Sequence, residues 1–176
     1  MKLKTIGVSL LFAFLLVACG DTDEDNTVQE SDIENMKELV QEYSTGNFED
    51  ETASITSTQL IVTENDENET VYELPEEEFF VSIAPYINET HPCTNHSLTG
   101  CQGEMVEEEF DVYIEDTEGN VVVDETLSTM ENGFFDLWLP RDKTYSITIK
   151  QDGKVVESEF STFENDCTCI TTLQLL

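Results

Sequence analysis

Beyond Gly46 the apolar residues of this chain mostly alternate with polar ones, and a period of two is what a pleated strand with one buried face requires. Tyr145, Ile147 and Ile149 form one clean face, and Phe110, Val112 and Ile114 form another. Polar turn signals separate such runs: Thr117–Asn120, Asn132-Gly133, Pro140–Asp142 and Asp152-Gly153, the last a strong two-residue hairpin signal leading into Val155–Phe160. Gln59–Thr63 and Thr70–Leu74 read as a small hairpin around Glu64–Asn68. Phe79–Ile87 reads as the first strong strand, with Pro85 suggesting an edge or a bend. Val121–Val123, Phe134–Leu139 and a last strand at Ile170–Leu175 complete the pattern. Short strands at this spacing predict a mainly β fold, a sandwich of two antiparallel sheets. The stretch from Asn132 to Ile149, a Leu-Pro turn running into a Tyr-containing strand, resembles transthyretin-like and carboxypeptidase-regulatory-like sandwiches. That resemblance speaks to fold, not function.

One segment has a different period. Ile33, Met36, Leu39, Val40 and Tyr43 recur at helical spacing behind Ser31 and Glu34, which make a capping box, and Gly46 stands where a helix would end. An amphipathic helix over 32–45 is expected, its stripe packing on the domain or on a second protomer, so a homodimer is a candidate assembly. Helix and hairpin occupy 31–75, and the sandwich 76–176.

Upstream, Lys2 and Lys4 precede a short apolar stretch from Ile6 to Val17, followed by Leu16-Val-Ala-Cys19. The stretch is too short to span a bilayer comfortably and reads as a cleavable signal over 1–18. A Cys directly after Leu-Val-Ala resembles the bacterial lipobox, and the resemblance implies a diacylglycerol on Cys19 and attachment to the extracytoplasmic face of the membrane. Residues 19–30, mostly acidic and polar, read as a flexible tether. Cleavage would leave 176 − 18 = 158 residues and remove two of seven basic side chains, giving a charge of 5 − 39 = −34. So acidic a chain excludes nucleic acid as a partner and would be repelled by an anionic membrane surface, leaving acyl chains as the route to lipid.

Both histidines, and every cysteine except Cys19, fall in two clusters: His91-Pro-Cys93-Thr-Asn-His96-Ser-Leu-Thr-Gly-Cys101 and Cys167-Thr-Cys169. Thiolate and imidazole suit Cu(I) and Zn(II), whereas the 39 carboxylates suit hard cations. Pro92 stiffens the first loop, and Gly100 and Gly103 are expected to supply the curvature that returns Cys101. Four cysteines outside the cytoplasm commonly form two disulfides. Here Cys93–Cys101 and a strained Cys167–Cys169 would be the local pairs, and a bridge from the loop to the C-terminal pair is easier. The two histidines among the cysteines favour metal over a purely structural, disulfide-stapled lipoprotein. Ligand type alone leaves copper and zinc both open. His91, beside a proline at a strand end, is the weakest candidate ligand and Cys167 the next weakest.

Phe79-Phe-Val-Ser-Ile-Ala-Pro-Tyr-Ile87, running into His91-Pro-Cys93-x-x-His96 and Cys101-Gln-Gly-Glu104, resembles the CueP family of extracytoplasmic copper-binding proteins, as does the ending from Cys169 to Leu175. The resemblance implies copper buffering and tolerance, with copper-requiring enzymes as candidate recipients. It also implies that Cys93, His96, Cys101 and Cys169 are the ligands and that Cys167 is an addition. The expectation is a pocket in which Cys93, Cys101 and Cys169 bind Cu(I) beside His96. Thiol-driven reduction of Cu(II), served by a thiol reductase, is the enzymatic alternative. No serine–histidine–acid triad, phosphate loop or nucleotide fingerprint is present in the sequence.

Overall fold

The computed structural model describes residues 30–64 and 68–176; the leader, Cys19 and most of the tether lie outside the described residues. Among the described residues the fold is mainly β and largely antiparallel, with one helix, α1 (Glu30–Thr45). Eleven strands follow: β1 (Glu51–Ile55), β2 (Gln59–Glu64), β3 (Glu69–Glu73), β4 (Glu78–Ile83), β5 (His96–Ser97), β6 (Glu109–Asp116), β7 (Val121–Ser128), β8 (Phe135–Pro140), β9 (Thr144–Gln151), β10 (Lys154–Ser161) and β11 (Cys169–Ile170). They form three sheets, ordered β3-β2-β1-β5, β10-β9-β6-β7 and β11-β4-β8.

The expected sandwich is present, and it has a third layer. Phe79, Val81 and Ile83 of β4 pack with Phe110, Val112, Ile114, Tyr145, Ile147 and Ile149 in the larger core between the β4 and β6 sheets. Phe80, one step out of phase, faces the other way. It shares a second core with Val40 and Tyr43 of α1, Ala53 and Ile55 of β1, and Leu60 of β2. Side chains of a strand alternate between faces, so a strand covered on both sides must be apolar throughout. That explains the continuous Phe79–Ile83 run, and it corrects the edge reading: β4 is the middle strand of its sheet, and Pro85 lies beyond its end. The helix stripe packs on the domain through Val40 and Tyr43.

Two strands were not anticipated, β1 and the two-residue β5. The expected last strand, Ile170–Leu175, shrinks to β11, which pairs with β4 in parallel, Cys169 opposite Ser82. The rest of the tail follows Tyr86 by single hydrogen bonds, Tyr86 N to Leu173 O (3.0 Å) and Leu175 N to Tyr86 O (2.8 Å). The Asp152-Gly153 hairpin is as predicted, with φ of +50° and +80° in the left-handed region that a type I′ turn requires.

Candidate metal centre

Three short connections bring the sulfur and nitrogen donors together. His96 is held at the rim of the first sheet, where β5 pairs with β1 and His96 lies opposite Ile55. The chain then turns tightly, the Cys101 amide donating to the Ser97 carbonyl at 3.0 Å, which returns Cys101 toward the histidine. Thr168 ties the tail to the loop. Its hydroxyl accepts from the His96 amide (2.9 Å) and donates to the Ile55 carbonyl (2.7 Å). Its amide donates to the Thr94 carbonyl at 3.0 Å, as the Cys169 amide does at 3.3 Å.

Gly103 matters for a reason other than curvature. Neither Gly100 nor Gly103 adopts positive φ. A Cβ on Gly103 would instead stand 2.5 Å from the Gly133 carbonyl oxygen, because the two backbones touch and the Gly103 amide donates to Asn132 O at 2.7 Å. Just beyond, the exposed Glu104 carboxylate accepts from the amides of Ile87 (2.6 Å) and Asn88 (2.9 Å) and from the Asn88 side chain (2.9 Å). These donors, the Asn88 amide first, hold its pKa down at about 2. This clamp fastens the start of the His91–Cys93 loop to the segment that follows Cys101.

The ligand atoms of Cys93, His96, Cys101 and Cys169 all lie within 4.8 Å of one another. Cys93 Sγ is 3.6 Å from Cys101 Sγ, and His96 Nδ1 is 3.4 Å from Cys169 Sγ. Metal–sulfur bonds of about 2.3 Å place the ligands of one ion roughly 3.5–4 Å apart, so the set fits a single soft ion without a change of fold. Among the described residues no carboxylate joins this group. Cys93 and Cys169 are paired as a disulfide, with Cα atoms 5.7 Å apart, while Cys101 is a free thiol. The oxidised pair cannot offer two thiolates, so the three-sulfur set belongs to the reduced protein.

His96 is fully enclosed, its ring centroid 4.6 Å from that of Phe134 and 6.4 Å from that of Phe80. Burial, with a smaller contribution from His91, lowers its pKa to about 4, so the imidazole is neutral and able to coordinate at ordinary pH. Its Nε2 lies 3.3 Å from the Ser82 hydroxyl, which donates to Asp136 Oδ1 at 2.5 Å.

The two weaker candidates stand outside the group of four. His91 is half-buried, with Nε2 enclosed and without a hydrogen-bond partner, and its ring meets the edge of Phe134 at 6.2 Å. Cys167 is an exposed free thiol. Both line a shallow depression of about 600 Å³, together with Cys93 and Cys169. The sequence reading missed Ser82, Asp136 and Thr168. A signal was present for two of them: Ser82 interrupts Phe-Phe-Val-Ser-Ile and Asp136 interrupts Phe-Phe-Asp-Leu-Trp, polar residues inside strands otherwise apolar.

Among curated proteins no relative matches this chain. Residues 33–174 match the family described as "Periplasmic copper-binding protein CueP". The chain is similar to a crystal structure of "S.CueP", with 35% sequence identity and a TM-score of 0.74, covering 82% of this chain and 88% of that one. The family match spans the α1 stripe, the three sheets and all four residues of the donor cluster, and the chain belongs to the CueP family.

Proposed function

We propose that this protein binds Cu(I) outside the cytoplasm, attached to the membrane by lipid on Cys19, and that it buffers copper and passes it to copper-requiring enzymes. One observation carries the reading: three sulfurs and one imidazole nitrogen within 4.8 Å, with no carboxylate among them. Thiolates in a low-coordinate, largely enclosed site favour Cu(I) over Cu(II) and over hard cations. Zinc could use the same Cys₃His set. The family's description as periplasmic and copper-binding supports copper and an extracytoplasmic location.

The test is competition for Cu(I) between a chromophoric chelator and the reduced full-length chain. Loss of an outer partner of a metal ligand typically costs 10–100-fold, so Cys101→Ser, which removes a donor, should weaken binding by more than about 100-fold. Undiminished affinity would refute the site, and preference for Zn(II) in the same competition would reassign the metal.

The disulfide between Cys93 and Cys169 favours a second reading, thiol-driven copper reduction. Two thiols reduce two Cu(II) to two Cu(I), forming one disulfide and releasing two protons, and a thiol reductase would have to restore the thiols. Disulfide formation in step with Cu(II) consumption, followed by repeated turnover when a reductase is added, would separate catalysis from a single stoichiometric oxidation.

A further inference from the structure

Cys169, Ser82 and Asp136 lie in one row across the β11-β4-β8 sheet, Cys169 opposite Ser82 and Ser82 opposite Asp136. Opposed residues put their side chains on the same face of a sheet. His96 completes the arrangement from the neighbouring layer, Nδ1 toward the Cys169 sulfur and Nε2 toward the Ser82 hydroxyl. Beyond Asp136 the chain of contacts continues into α1. The Ser44 hydroxyl donates to Asp136 Oδ2 at 2.6 Å, and the Ser44 carbonyl accepts from the Asn132 side chain at 3.2 Å.

A hydroxyl has one proton to give. Ser82 gives it to Asp136 Oδ1, so toward Nε2 it can only accept. Nε2 must then carry the ring proton, and Nδ1 keeps the lone pair. Ser44 occupies the other carboxylate oxygen, which fixes the plane of Asp136 and prevents the row from reorganising. We propose that Ser82 and Asp136 are positioning residues for the metal site: they hold His96 in the Nε2–H tautomer, so that Nδ1 is the nitrogen that meets the metal. The role rests on reading the cluster as a copper site. Imidazole ligands generally need such a partner on their second nitrogen, and its loss typically costs 10–100-fold in affinity.

The test is imidazole ¹⁵N NMR on the reduced, metal-free full-length chain, with His91→Gln used to assign the two rings. The expected result is a protonated Nε2 and an unprotonated Nδ1 in His96. On adding Cu(I) the Nδ1 resonance should move while Nε2 keeps its proton. Ser82→Ala should mix the tautomers and weaken Cu(I) binding 10–100-fold, and Ser82→Thr, which keeps the hydroxyl, should restore both. A wild-type ring protonated at Nδ1, or Cu(I) bound through Nε2, would overturn the proposal without any variant having to fold. So would a folded Ser82→Ala protein with unchanged tautomer and affinity. Failure of the wild-type chain to take up Cu(I) would instead refute the copper reading, while the tautomer of the metal-free ring would still decide whether the row acts as described.

Discussion

Acidification should cost the metal-free protein stability through His96, by an amount that follows from its surroundings. In the unfolded chain the ring titrates near 6.5; in the fold, enclosed at 0% exposure, it titrates at about 4. A base whose folded pKa is depressed takes up its proton more readily when unfolded. Its neutral form is therefore fully compatible with folding above about pH 6.5, stability falls as pH drops from 6.5 to 4, and the loss levels off below 4. At about 1.4 kcal/mol per pH unit, the 2.5-unit window amounts to roughly 3 kcal/mol. Urea unfolding of wild type and His96→Gln, with the disulfide intact in both, should show the stability difference between them shift by about that amount between pH 7 and pH 4. Other groups titrate nearby but are common to both proteins. Glu104, lowered to about 2, loses its contribution only from about 4.5 downward. Asp136, raised by desolvation, has the opposite sign and favours folding as pH falls. A wild-type-minus-variant difference that stays constant across pH 7 to 4 would refute the claim that enclosure keeps this imidazole neutral.

Two further outcomes test how the loops are held. Gly103→Ala should destabilise by about 2 kcal/mol or more, because its Cβ would meet the backbone oxygen of Gly133 at 2.5 Å and neither strand of chain can yield cheaply. Gly119→Ala, where φ is +83° and nothing lies within 4 Å, should cost about 1 kcal/mol from backbone strain alone, and equal midpoints for the two variants in urea unfolding would contradict the close-approach argument. Glu104→Gln retains one acceptor oxygen where two are used, so the Ile87 and Asn88 amides should exchange faster with deuterium; unaltered exchange would mean the carboxylate is not what fastens the His91–Cys93 loop.

Much of this was legible because strands with one wet face announce themselves. The inward row of Tyr145, Ile147 and Ile149 and the Asp152-Gly153 turn each carry a local cause for the structure they adopt, and β9 and β10 follow from them. Where the cause is distant, the pattern fades. In β1 only Ala53 and Ile55 are buried, and the strand exists because β2 lies on one side and β5 on the other. The tail from Thr171 to Leu175 alternates in burial as a strand would, yet after Ile170 it meets β4's extension only at isolated bonds around Tyr86. The candidate donors were readable from residue type, since the only two histidines lie among the cysteines. Their convergence was not, because Cys93 and Cys169 are 76 positions apart and no local rule spans that distance.

What joins them is the one sheet that the alternation obscured. A strand covered on both faces shows no period of two, so Phe79–Ile83 reads as an apolar run, and its single polar residue is easily passed over. Yet that residue, Ser82, has Cys169 on one side and Asp136 on the other, and its hydroxyl meets His96 from the next layer. A serine at 0% exposure between two cores lacks any solvent-facing role, and hydroxyls are buried at a cost unless their hydrogen bonds are made. Its partners are a carboxylate and the imidazole of the donor cluster. The position that least resembles a strand interior is therefore the one where the architecture of the sandwich and the chemistry of the site are the same contact.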